Sequence, residues 1–137
     1  MSQSLAQKRA GHALDQIQKM HRKDEYGNYV AYVKALPAAI IMSGLGQALA
    51  MEKARGPETK TDKVSRGHAN LYYHLNTWLC KDWQDSPYSR GSDVLEEITR
   101  KSEADYIRAQ AEALAYLEWL KKFAVATLRD PGNVDGG

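Results

Sequence analysis

No stretch of this chain alternates apolar and polar residues at strand length; apolar residues recur three and four positions apart instead. That pattern predicts an all-α fold, a compact single-domain bundle of about six helices over residues 1–137. The first helix is expected from about Ser4 to His21, with Ala6, Ala10, Ala13, Leu14, Ile17 and Met20 inward. Lys8, His12, Lys19 and Arg22 line its other side, with Asp15 among them. The cleanest pattern runs from Lys63 to Lys81, where Val64, His68, Leu71, Tyr72, Leu75, Trp78 and Leu79 share one face.

Punctuation between the helices is equally readable. Gly27-Asn28 breaks the chain, and a short helix then turns Tyr29, Val30, Val33 and Leu36 inward. Pro37 stands where a new helix starts, since its missing N–H is harmless in a first turn. From there Ile41, Leu45, Ala48 and Leu49 form a stripe. Gly44 and Gly46 inside that helix each cost about 1 kcal/mol relative to alanine, so another helix is expected to come very close there. Arg55-Gly56-Pro57 ends it, and a flexible loop is expected near 55–62. Asp85-Ser86-Pro87 and Arg90-Gly91-Ser92 bracket a second loop, with Ser92 as N-cap of a short helix carrying Val94, Leu95 and Ile98. Ser102 and Asp105 resemble a capping box opening a last helix to about Leu128, with a loose tail from about 130.

The last helix has two informative faces. Tyr106, Ala113, Leu117, Leu120, Ala124 and Leu128 form the core stripe, while Arg108, Glu112, Ala115, Trp119 and Lys122 fall on the reverse. Trp119 is therefore expected on the surface, covered by a neighbouring helix or the tail, or else anchoring a partner.

A chain of 137 residues buries roughly 70% of its unfolded surface, enough for a core without staples. Its 43% hydrophobic and 26% charged residues exclude a disordered chain. The single cysteine, Cys80, excludes an internal disulfide, and the polar, periodic start is unlike a signal peptide. The longest apolar run, Ala35 to Met42, is far below the roughly 20 residues a membrane span needs. A cytoplasmic protein without membrane contact is expected. A net charge of +2 fits a few phosphate contacts inside an assembly, or none at all.

Catalytic patterns are missing. His12, His21, His68 and His74 include no pair at the i, i+4 spacing of a zinc helix, and Cys80 has no cysteine partner, so neither metal nor cofactor is expected. His68 lies on an apolar stripe and reads as a core histidine. Gly44-Leu45-Gly46 mimics a dinucleotide fingerprint but has no preceding strand and no third glycine. The helical HEPN ribonucleases place an arginine and a histidine about four to six residues apart on one helix. Arg66 and His74, with seven residues between them, sit about 80° apart on the wheel but miss that spacing. Outer-face cations remain: Lys63, Arg66 and Lys81 beside Tyr73, and Lys8, Lys19 and Arg22 on the first helix. They read either as a solvated face or as phosphate contacts.

Several stretches, taken in order, resemble one family. These are Gln7-Lys8-Arg9-Ala10, Leu36-Pro37 with Ile40-Ile41, and Gly44-Leu45-Gly46-Gln47-Ala48-Leu49-Ala50. Tyr72 to Leu79 follows, and then Tyr106-Ile107-Arg108, Glu112-Ala113-Leu114 and Trp119-Leu120-Lys121-Lys122-Phe123-Ala124. Together they cover residues 7 to 126 and are similar to the small subunit of Cmr (type III-B) CRISPR effector complexes. Met51 and Gln110 depart from that pattern, where an aromatic and a threonine are common.

The resemblance implies a non-catalytic helical bundle that stacks with further copies of itself. Its other implied partners are the backbone subunits, the large polymerase-like subunit, and guide and target RNA. The expected RNA or subunit contacts are Arg9, Lys19, Arg66, Arg108, Lys121 and Lys122, with Trp119 as a partner anchor. Arg9, Arg108, Lys121 and Lys122 lie within the family-like motifs; Lys19 and Arg66 follow from helix faces alone. A helical adaptor without an RNA role, or a HEPN-like ribonuclease, are the alternatives.

Overall fold

The computed structural model describes residues 2–20 and 23–128. The expected helix end at His21, the outer-face cation Arg22 and the tail from 130 lie outside the described residues. Six α-helices carry the fold: α1 (Leu5–Gln18), α2 (Tyr29–Ser43), α3 (Leu45–Arg55), α4 (Lys63–Thr77), α5 (Val94–Arg100) and α6 (Glu103–Thr127). A 3-10 turn, Lys23–Tyr26, precedes α2, and a π turn, Trp78–Asp82, extends α4. There is no strand among the described residues, as the periodicity predicts.

The helix starts are chemically explicit. Ser4 and Gln7 form a reciprocal capping box on α1. The Asp62 side chain accepts from the Ser65 amide at α4, and the Ser102 side chain from the Asp105 amide at α6. At α5 the cap position is Asp93 rather than Ser92, and the Val94 amide is taken by Asn76 Oδ1 at 2.7 Å. A side chain from α4 thus does the work expected of a local cap.

Helix α2 runs straight through Pro37, which does not start a helix. Tyr29, Val30, Val33, Leu36 and Ile40 form one unbroken buried stripe across it, and that packing outweighs the lost hydrogen bond. The break falls at Gly44, at φ +87°, a conformation side chains resist. Continuity to Ser43 puts Ile40 in the core and leaves Ile41, expected there, 72% exposed. Gly44 is therefore a junction rather than a helix interior. The close approach expected at this point is real, however: a Cβ on Gly44 would lie 2.7 Å from the Tyr106 hydroxyl of α6. The opening amides of α3 use that proximity, Leu45 donating to Gln110 Oε1 (2.9 Å) and Gly46 to Tyr106 Oη (3.1 Å).

Helix α6 packs against α1 and α2, and α4 closes the bundle against α3 and the 3-10 turn. Arg9 meets Glu112 and His12 meets Tyr116, so α1 and α6 run in the same direction. Trp78 and Tyr116 stack at the centre with ring centroids 5.5 Å apart. Val64, assigned inward by its periodicity, is exposed in the first turn of α4. Glu112, assigned outward, is buried.

Candidate RNA and partner interface

The six expected cations divide by their surroundings. Arg9 is a structural element: its guanidinium donates to both oxygens of Glu112, at 2.6 and 2.8 Å, and its side chain is only 16% exposed. Glu112 also accepts from the Trp78 indole at 2.9 Å, so one buried carboxylate ties α1, the π turn after α4 and α6 together. The bond to Glu112 raises the arginine pKa further, and Arg9 stays charged.

Lys19 and Arg66 come to one edge. Lys19, paired with Asp15 at 3.0 Å, shares a shallow pocket with Tyr26, Asn70 and Tyr73. Arg66 lies 5.8 Å above the Tyr26 ring and 3.5 Å from Glu25. Two cations and two tyrosines, one of them exposed Tyr73, form a surface suited to a phosphate chain with unstacked bases.

Lys121 and Lys122 lie on α6 and share Glu118, at 3.5 and 3.9 Å. One carboxylate against two ammonium groups leaves a net positive charge. Trp119 stacks on Phe123 with centroids 5.7 Å apart and remains 36% exposed. Exposed Val125 lies in the same helix, one turn and a half further on. An aromatic flanked by cations has the composition of an interface anchor. Arg108, nearer the start of α6, crosses to the loop after the π turn, donating to the Asp85 carbonyl (3.1 Å) and covering Trp83 at 5.7 Å. Arg108 is thus not brought together with Lys121 and Lys122.

The histidines are occupied. His68 stacks on Tyr32 at 3.7 Å, and its Nδ1 lies 3.1 Å from Glu52, the satisfied core histidine that its stripe suggests. His74 is buried against Tyr29 Oη at 2.6 Å, and burial pushes its pKa down to about 3, so it is neutral. Arg66, its partner in the ribonuclease alternative, faces Glu25 at the surface. His12 bridges Tyr116 (2.7 Å) and Asp82 (2.9 Å); burial lowers its pKa against the opposing pull of Asp82. Cys80 is buried, its thiol pushed up to about 12 chiefly by desolvation, and is unreactive. Among the described residues no group of three His, Cys, Asp or Glu is placed to hold a metal ion. No helix there is long and apolar enough to cross a membrane.

Arg90 escapes notice in the sequence, where it is only part of a loop-ending Arg-Gly-Ser. Its Nε donates to the Lys81 carbonyl at 3.2 Å, which sets it beside the π turn. The adjacent Gly91, at φ +84°, was the available signal of a fixed bend.

The model of the family described as CRISPR-associated protein (Cas_Cmr5) matches residues 5–127. The chain belongs to this Cmr5 family. It is thereby a small subunit of the Cmr, type III-B, CRISPR complex, in association with other Cmr subunits. A crystal structure of a CRISPR-associated Cmr5 family protein from Thermus thermophilus superposes with a TM-score of 0.72 at 24% identity. The match covers 93% of this chain and 100% of that one. At that identity the comparison supports the all-α fold expected from periodicity.

Proposed function

We propose that the chain is a non-catalytic, cytoplasmic structural subunit of the Cmr ribonucleoprotein. In this reading it stacks with further copies of itself beside the backbone and large subunits, and contacts the RNA backbone in the guide–target channel. The observation that carries the reading is the family match over residues 5–127, which takes in every expected contact residue. Lys19 and Arg66 with their tyrosines, and Lys121 and Lys122 beside Trp119, are two exposed surfaces available for RNA and for neighbouring subunits. Arg9, held by Glu112, ties α1 to α6 within the bundle.

Cations hold a phosphate chain without reading its sequence, and base pairing with the guide supplies specificity. The buried state of His74, and the pairing of His68 with Glu52, support a role without catalysis. The test is recovery of the tagged chain from its native host, with RNA sequencing and protein identification. Guide-length RNA together with large and backbone Cmr subunits is expected. Recovery of those subunits without RNA contact at any basic residue, judged by cross-linking, leaves a protein–protein adaptor.

A further inference from the structure

The four expected cations that lie on the two exposed surfaces each have a carboxylate within reach, as Arg9 does in the interior. The loop after the π turn is different. Lys81 and Arg90 line a polar pocket of about 320 Å³ with Trp83, Gln84, Ser86 and Tyr88. Neither cation has a carboxylate partner among the described residues. Arg108 overhangs Trp83 from α6, and Lys8 of α1 reaches Gln84 at 3.5 Å, again without carboxylates. Asp82, closing the π turn, is engaged with His12; of the loop's own two acids, Asp93 is taken by Tyr72 and Lys53, and Asp85 is exposed.

The pocket is held open by its own backbone. The Trp83 amide returns to the Trp78 carbonyl at 2.9 Å, the long π spacing, and the Gly91 amide reaches the Cys80 carbonyl at 2.7 Å. The Arg90 Nε bond to the Lys81 carbonyl fixes the guanidinium beside the ammonium-bearing residue and leaves its two terminal nitrogens free. Two of the wall residues carry buried polar atoms with no partner: Trp83 Nε1 and Tyr88 Oη. Both side chains are more than nine-tenths buried, at 6% and 4% exposure. Burial pushes the Tyr88 phenol up to about 12, so it remains an O–H donor, and an indole N–H can only donate. A buried donor left unpaired costs about 1–3 kcal/mol, and the two cations on the rim, free of carboxylates, favour an acceptor-rich anion.

We propose that this pocket, rimmed by Lys81 and Arg90, is a phosphodiester site for the RNA backbone. It rests on the RNA-contacting reading above and assigns that contact to a surface the expected residues only border, through Arg108. A phosphate oxygen between two cations forms charge-assisted hydrogen bonds, which a neutral or sequence-reading ligand does not exploit.

The experiment follows the three indole N–H signals of the full ¹⁵N-labelled chain during titration with a short single-stranded uridine oligonucleotide. Inorganic phosphate and an acidic peptide are titrated separately. The Trp83 signal is expected to shift saturably with RNA. Lys81→Gln with Arg90→Gln should weaken that response at least about tenfold, the loss of one charge-assisted bond, with an unchanged Tm. Lys34→Gln, at an exposed cation of α2 outside every expected contact, should leave the Trp83 response unchanged.

RNA that saturates signals elsewhere while Trp83 stays still overturns the pocket and leaves the RNA reading standing. A Trp83 response to the peptide or to phosphate, but not to RNA, overturns it in favour of a small-anion or acidic-partner pocket. RNA binding neither by the chain nor by the complex containing it removes the RNA reading together with the pocket.

Discussion

Replacing Arg9 by methionine separates a structural arginine from an RNA-binding one. Arg9 and Glu112 are 103 residues apart, joined by two short bonds, with the Glu112 side chain 5% exposed. Without the guanidinium, Glu112 keeps the Trp78 indole but holds an uncompensated charge in the bundle interior. Breaking a buried pair in this way costs about 3–5 kcal/mol. The partial exposure of Arg9 lets water reach the vacated space, so about 3 kcal/mol is expected. For a domain of this size each kcal/mol moves Tm by about 3–4 °C, which makes the expected drop about 10 °C.

The companion variant fixes the interpretation. Glu112→Gln with Arg9→Met removes both charges while retaining an acceptor for Trp78, and should recover more than half of the loss. Thermal denaturation followed by circular dichroism reads all three proteins. RNA affinity of the complex assembled with folded Arg9→Met subunit should match the parent within about twofold, a few tenths of a kcal/mol. A Tm unchanged within about 2 °C, together with tenfold weaker RNA binding, would refute the argument and make Arg9 a contact residue.

Acid should destabilise the bundle through His74. Its folded pKa near 3 against 6.5 unfolded means the native state resists protonation, so stability is full above 6.5 and lost as pH falls below it. Between pH 7.5 and 5 the loss is about 2 kcal/mol, with His12 acting in the same direction, and a Tm that is flat over that range contradicts it. Gly67→Ala drives a Cβ into the Tyr26 carbonyl and the Tyr32 ring, and should cost about 3 kcal/mol; a Tm near the parent's in a melting experiment counts against the packing of the 3-10 turn on α4. Trp119→Ala should cost the isolated chain about 1 kcal/mol while weakening recovery of partner Cmr subunits at least tenfold; an unaltered recovery returns Trp119 to a merely local stack on Phe123. Lys19→Glu with Arg66→Glu should weaken RNA binding by the assembled complex and flatten its salt dependence; unchanged binding makes both residues solubilising.

Periodicity carried the helix count because each helix buries one stripe, and a stripe is a local property. It misjudged Pro37 because a proline reads as punctuation in isolation, whereas Tyr29 to Ile40 buries a continuous face worth more than one backbone bond. The same limit explains α6. A wheel divides a helix into one inner and one outer face, but the middle of α6 has α2 on one side and α1 on another. Glu112 therefore falls on the wheel's outer side and still lies inside the protein, where only a charge from a distant segment can hold it. Trp119, two turns further along nearly the same line, is a third exposed, so the cover thins toward the end of the helix. The expected contact set inherits this ambiguity, because a cation's availability depends on which carboxylate the fold brings to it. Arg9 was given one at long range, Lys19 and Lys122 carry theirs within a helical turn, and Lys81 and Arg90 were given none. Unpaired positive charge is thus a property of the tertiary structure, and it gathers at a loop whose sequence shows little more than bends.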